Sequence, residues 1–147
     1  MGHSMGGLGA LIAASEDHRI KCIVGLAPGI RSERFSPELR LILREIYNIS
    51  VPIQFQIGSN DGLILPENVK TFFDSLHSEQ KSYIEIEGGN HIRFADKTMT
   101  LLIGEYMSRI GMLGKRFKDR KATITFEEQH SISRNGFMEY FNRYLKQ

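Results

Sequence analysis

The sequence predicts an α/β fold in which a parallel sheet is flanked by helices. Short apolar runs alternate with segments of helical spacing, the pattern of strand–helix–strand crossovers. The run Ile20 to Leu26 is apolar almost throughout, as a strand buried on both faces must be. The runs end at glycine, serine, asparagine or proline, where a chain turns.

Met5 to Ala14 is small and apolar, with Leu8, Leu11 and Ile12, and reads as a buried helix. Ile20 to Leu26 is the first strand, closed by Ala27-Pro28-Gly29. Ser36-Pro37-Glu38 starts a helix with proline at its first position. Leu39, Ile42, Leu43 and Ile46 follow at helical spacing, as core or as a small lid. Val51 to Ile57 is the second strand and ends at Gly58-Ser59-Asn60-Asp61-Gly62. Pro66 opens a helix with Val69, Phe72, Phe73 and Leu76 on one face. Ser82 to Ile86 is the third strand, followed by Gly88-Gly89-Asn90-His91. Met99, Leu102, Ile103, Tyr106 and Ile110 mark another helix. Gly111 to Lys121 is basic and reads as a solvated loop, with an anion-binding edge as the alternative. Thr125 and Glu128 stand at capping-box spacing before a last helix with Ile132, Met138, Phe141 and Leu145. Asn135-Gly136 is a candidate break in it.

Composition bounds the function. The chain has 147 residues, 41% apolar and 24% charged, ordinary for one globular domain. A net charge of +2 gives no reason to expect nucleic acid or a membrane surface. No apolar run reaches the roughly 18 residues of a membrane-spanning helix. The one cysteine, Cys22, lies in an apolar run and reads as a small core residue. No histidine pair has a spacing such as H-E-x-x-H, so a catalytic metal is not expected. No signal segment is legible, which carries no weight if the natural start lies upstream. The location is open, with the cytoplasm as the preferred expectation.

Three residues share a context. Ser4, Asp61 and His91 each lie just past the C-terminal end of a strand position, the edge where open parallel sheets bind ligands. Gly2-His3-Ser4-Met5-Gly6 is a G-x-S-x-G pattern, which places a serine on a strained turn between strand and helix. By composition this pattern arises in roughly one chain in twenty of this length. Alone it is modest; with the Asp61 and His91 loops in that order it becomes specific. A serine hydroxyl is a poor nucleophile until a base takes its proton. Histidine titrates near neutrality and can accept and return that proton. A carboxylate fixes the imidazole tautomer and stabilises the imidazolium. The N–H of Met5, next after the serine, is the expected half of an oxyanion hole.

Competing residues have plainer readings. Asp74 lies on a helix face as a solvated charge, and Asp96 caps a helix beginning near Lys97. His3 packs beneath the turn or shapes the pocket. His18, His77 and His130 read as surface residues.

On these residues the chain resembles the α/β-hydrolase superfamily. Gly2-His3-Ser4-Met5-Gly6-Gly7 is similar to its GHSMGG elbow. Val51-Pro52-Ile53 through Asp61 resembles the strand and acid loop, and Gly88-Gly89-Asn90-His91 the histidine loop. The branch it looks most like is that of dienelactone hydrolases, chlorophyllases and cutinase-like esterases. The segment Ala122 to Gln129 with the following helix resembles the C-terminal end of such proteins.

The resemblance implies the C-terminal part of an α/β-hydrolase fold, with three parallel strands flanked by helices. Residues 1–147 would then be a single partial domain starting at the elbow. It implies a serine hydrolase that acts on small carboxylic esters through an acyl-enzyme on Ser4, without a cofactor. The first alternative is a weak or inactive fragment that binds or assembles. A thioesterase or peptidase of the same fold is the second. The strand after the elbow helix would keep an unpaired apolar edge, an invitation to dimerise.

Overall fold

The computed structural model describes residues 1–30, 44–102 and 119–146. Four parallel strands stand in the order β1-β2-β3-β4. They are β1 (Gly2–His3), β2 (Ile23–Leu26), β3 (Ile53–Gly58) and β4 (Lys81–Ile86). Helix α1 (Met5–Glu16) joins β1 to β2, and α2 (Pro66–Ser75) joins β3 to β4. A one-turn 3-10 helix, Ile92–Phe94, follows β4, and α3 (Phe126–Leu145) closes the described chain. Residues 44–47 and 97–102 are also helical.

The strand expected at Ile20 to Leu26 is shorter, Ile23–Leu26, and a fourth strand of two residues precedes it. Gly2 pairs with Gly25 and His3 with Leu26. A two-residue strand is too short to leave a periodic signal, so the sequence shows the elbow and not the strand under it. The predicted helix over residues 36–46 and the one over 99–110 fall mostly outside the described residues. Within them, Ile46 is fully buried, so that end of the stripe is core. Cys22 is half-buried at the rim of the core.

The alternation along β3 decides what lies on each side of the sheet. Ile53, Phe55 and Ile57 point one way, and Gln54 and Gln56 the other. Phe55 meets Phe72 and Phe73 of α2, with ring centroids 6.4 and 5.4 Å away. Strands that follow one another across a sheet through right-handed crossovers place their helices on one face, so α1 lies on the same side as α2. The two glutamines face α3. Gln56 Nε2 donates to Gln54 Oε1 at 2.8 Å and to the Ser133 carbonyl at 3.1 Å. Gln54 Nε2 donates to the Gly136 carbonyl at 3.3 Å. These bonds satisfy the buried amide N–H groups, while Gln56 Oε1 has no hydrogen-bond partner among the described residues.

Helix α3 begins as the sequence predicts. Thr125 Oγ1 accepts from the Glu128 N–H, and the Glu128 carboxylate accepts from the Thr125 N–H. It then runs unbroken through Asn135-Gly136. The reason for Gly136 is proximity to the sheet. A Cβ there would come within 2.7 Å of Ile84 Cδ1 and 2.9 Å of Gln56 Nε2. Against a helix-breaking role, which would make alanine stabilising, close packing makes any larger side chain overpack the contact. Gly136→Leu is expected to cost about 1–3 kcal/mol, read as a lower urea midpoint. An unchanged midpoint would mean that α3 does not press on β3 at this point.

Candidate active site

Because all four strands are parallel, their C-terminal ends meet along one edge. Ser4 follows β1, the loop of Asp61 follows β3, and the loop of His91 follows β4. The structure brings all three together. His91 Nδ1 lies 2.7 Å from Asp61 Oδ2. A nitrogen facing a carboxylate must carry the proton, so Nδ1–H donates and Nε2 is left as an acceptor. Ser4 Oγ, 3.0 Å from that Nε2, then donates to it. Asp74 and Asp96, the competing acids, are elsewhere. Asp74 pairs with Lys70 on the surface of α2, and Asp96 Oδ1 accepts from the Met99 N–H at the start of the 97–102 helix.

Ser4 has φ 54° and ψ −122°, a left-handed conformation disfavoured for a residue with a Cβ. Its backbone is tied on both sides. The Ser4 N–H donates to the Leu26 carbonyl at 2.9 Å, and its carbonyl accepts from the Gly29 N–H at 2.8 Å. The two glycines of the elbow are not equivalent. A Cβ on Gly2 would sit 2.1 Å from the Gly6 carbonyl oxygen, whereas nothing lies within 4 Å of a Cβ on Gly6. Close approach therefore demands the first glycine and not the second. Met5 is exposed beside the serine.

Asp61 is fully buried, and its second oxygen is occupied by its own loop. Oδ1 accepts from the Leu63 N–H at 2.9 Å and from the Ile64 N–H at 2.7 Å. The acid and histidine loops run against each other. A Cβ on Gly58 would lie 2.4 Å from the Gly89 carbonyl carbon and oxygen. The Asn60 N–H donates to the Gly89 carbonyl, and the Gly88 N–H donates to Ser59 Oγ. Gly88 itself has φ 73°, a turn conformation that favours glycine.

Four side chains outside the expected set shape this edge. His3 lies with its ring centroid 4.8 Å from that of His91 and 6.0 Å from that of Phe94. Its Nε2–H donates to the His91 carbonyl at 3.1 Å. Burial, with His91 beside it, holds the His3 pKa down at about 4. Gln129, fully buried on α3, grips the histidine loop with both ends of its amide. It accepts from the Asn90 N–H at 3.0 Å and donates to the Asn90 carbonyl at 2.8 Å. Asp119 accepts from the Gly62 N–H and from the Ile92 N–H, each at 3.0 Å. Burial raises its pKa above the ordinary carboxylate value.

The fourth corrects an expectation. His130 is not a free surface residue; it stacks on Phe126 with centroids 4.0 Å apart and donates to the Ala95 carbonyl. His18 and His77 are exposed, as expected. Most of the basic stretch Gly111 to Lys121 lies outside the described residues, and Asp119 sits in the part that does not. Nothing local in a run of lysines and arginines marks that aspartate as a site residue. Its partners stand 57 and 27 residues away.

Among the described residues no group of three or more His, Cys, Asp or Glu is arranged to hold a metal. None of their helices is long and apolar enough to cross a membrane.

The profile of the family described as PETase: PET hydrolase-like matches residues 1–128. The chain is 33% identical over 128 residues to Cutinase 1 of Thermobifida cellulosilytica, covering 85% of this chain and 42% of that protein. It is 33% identical over 128 residues to a cutinase of Thermobifida fusca (strain YX), covering 85% of this chain and 37% of that one. It thus spans about two fifths of the length of these curated relatives. The fold is similar to that of the esterase domain of a Rhodothermus marinus protein. That match has a TM-score of 0.54 at 15% identity and covers 75% of this chain and 58% of the other. It is also similar to a Pyrococcus furiosus esterase, with a TM-score of 0.50 at 25% identity, covering 79% and 52%.

The His3 environment has a consequence for stability. Its folded pKa of about 4 lies below the unfolded value of 6.5. Between these two values the unfolded chain binds the extra proton, so this contribution is present above pH 6.5 and is lost as pH falls toward 4. His3→Gln removes the titration. Its urea midpoint is expected to fall less steeply across that interval than that of the unsubstituted chain. Parallel curves would place the His3 ring in water.

Proposed function

The chain belongs to the PET hydrolase-like family and carries part of an α/β-hydrolase fold, and on that premise we propose that it hydrolyses carboxylic esters. The hydrogen-bonded series Ser4 Oγ, His91, Asp61, set on a strained elbow, is the observation that carries the reading. On this reading residues 1–147 carry the catalytic residues within a stretch that spans about two fifths of the length of the curated relatives. The family is named for PET hydrolysis and the relatives are cutinases; the ester bond is what we carry over to this chain.

The chemistry follows from the residues. Ser4 Oγ attacks the ester carbonyl carbon while His91 Nε2 takes its proton. Negative charge develops on the carbonyl oxygen, and the Met5 N–H at the start of α1 stabilises it. The imidazolium is held by Asp61, whose carboxylate stays fixed by its own loop. Collapse of the tetrahedral intermediate breaks the bond to the alcohol, which leaves with the proton from His91. Water then attacks the acyl-enzyme, gives its proton to His91, and the acid departs as Ser4 regains a proton. His3, held neutral by burial, adds no second cation while His91 is charged.

Thioesters and peptides are cleaved by the same acid and base, so substrate profiling separates them from esters. A fluorophosphonate probe is expected to label Ser4, and Ser4→Ala to abolish both labelling and p-nitrophenyl acetate turnover. Asp61→Asn is expected to lower kcat by about 10⁴-fold, since the imidazole would lose its tautomer and its counter-charge. Labelling that survives Ser4→Ala would sink the proposal. A folded chain with no turnover would support the inactive-fragment alternative.

A further inference from the structure

Asp119 touches both loops that carry the partners of Ser4. One carboxylate oxygen accepts from the N–H of Gly62, the residue after Asp61. The other accepts from the N–H of Ile92, the residue after His91. We propose that Asp119 is a positioning residue. Its two oxygens fix the separation of the acid loop and the histidine loop, and so hold the Asp61–His91–Ser4 hydrogen bonds in register. The inference rests on the reading of those three residues as a triad.

The residue type is what the task requires. Only a carboxylate offers two acceptor oxygens, in one plane, with no donor between them. An amide would turn an N–H toward one of the two backbone donors. The surroundings sharpen the point. Asp119 is partly buried near another carboxylate, Asp61, whose charge adds to the penalty of burial. A carboxylate in such a place is unfavourable unless its hydrogen bonds are needed.

The neighbouring backbone does the same work without a side chain. Asn90 Nδ2 donates to the Arg120 carbonyl and Asn60 Nδ2 to the Lys121 carbonyl. The 119–121 segment is therefore a strap laid across both loops, and Asp119 is the member of it that substitution can remove. Gln129 holds Asn90 on the histidine loop alone.

The test compares Asp119→Asn with the unsubstituted chain and with Leu76→Ala. Leu76 is a buried core residue at the far end of α2, at the opposite edge of the sheet. Three quantities are read: the kinetics of p-nitrophenyl acetate, the rate of fluorophosphonate labelling, and the downfield NMR resonance of the His91 Nδ1 proton. Misplacement of reacting groups by about an ångström costs on the order of 10²-fold. Asp119→Asn is therefore expected to lower kcat and the labelling rate by about 10²-fold, with KM little changed, and to broaden the proton resonance. Leu76→Ala is expected to lower thermal stability while leaving all three readings in place.

Unchanged kinetics and resonance in Asp119→Asn would overturn the inference. So would an equal kinetic loss in Leu76→Ala, because the effect would then be one of stability. An unsubstituted chain that the probe does not label at Ser4 would defeat the triad reading instead. The proton resonance would still judge Asp119, since it needs no turnover. If Asp119→Asn does not fold, amide exchange in the unsubstituted chain decides. Slow exchange of both Gly62 and Ile92 supports the bridge, and free exchange of either refutes it.

Discussion

The hydrogen bond between Asp61 and His91 is buried, and the edge of the sheet is built around that fact. Asp61 has 0% and His91 5% of its surface exposed. A carboxylate removed from water costs several kcal/mol unless its lone pairs are satisfied. Here one oxygen is used by the Leu63 and Ile64 N–H groups and the other by the imidazole. The acid loop must therefore curl back on its own side chain. The histidine loop must cross from β4 to reach it, which brings Gly89 against Gly58 with no room for a side chain on Gly58.

The serine depends on the sheet in another way. Its backbone conformation costs on the order of 1–3 kcal/mol and persists only where the surroundings over-determine it. The bonds that do so run to Leu26 and from Gly29, at the end of β2. Each is worth about 1 kcal/mol net, so together they are of the same order as the strain. Ser4 keeps its geometry only while the end of β2 is in place. That end is set by the pairing of β2 with β3, whose faces are buried by α2 and α3.

What could be read from the sequence follows this division between local and long-range causes. Asp61 and His91 each stand in a short, glycine-bearing loop after an apolar run, and Ser4 stands in a G-x-S-x-G pattern; these signals are local. The capping box of Thr125 and Glu128 is local too, and so is Pro66 at the start of α2. Asp119, Gln129 and Gly136 were not legible as what they are. Asp119 and Gln129 act on residues 27 to 57 positions away. Gly136 looks like a helix breaker until Gln56 and Ile84 are placed beneath it. The glutamines of β3 were also silent, because an amide in a strand says nothing about which helix will cover it.

His3 shows how the elbow and the histidine loop constrain each other. The x position of G-x-S-x-G is free in the pattern, yet here it lies against the His91 ring and donates to the His91 carbonyl. Under the proposed mechanism His91 becomes a cation during acylation. A second charge about 5 Å away would oppose that by a few kcal/mol at an effective dielectric near 20, which is on the order of a 10²-fold rate. Burial removes the difficulty by keeping His3 neutral down to a pH of about 4. The same burial makes its remaining N–H available as a fixed donor. A lysine or arginine could give the hydrogen bond but not the neutrality, and an apolar residue the neutrality but not the hydrogen bond. At this position a buried histidine meets both requirements, and the cost is stability that declines as the solution is acidified.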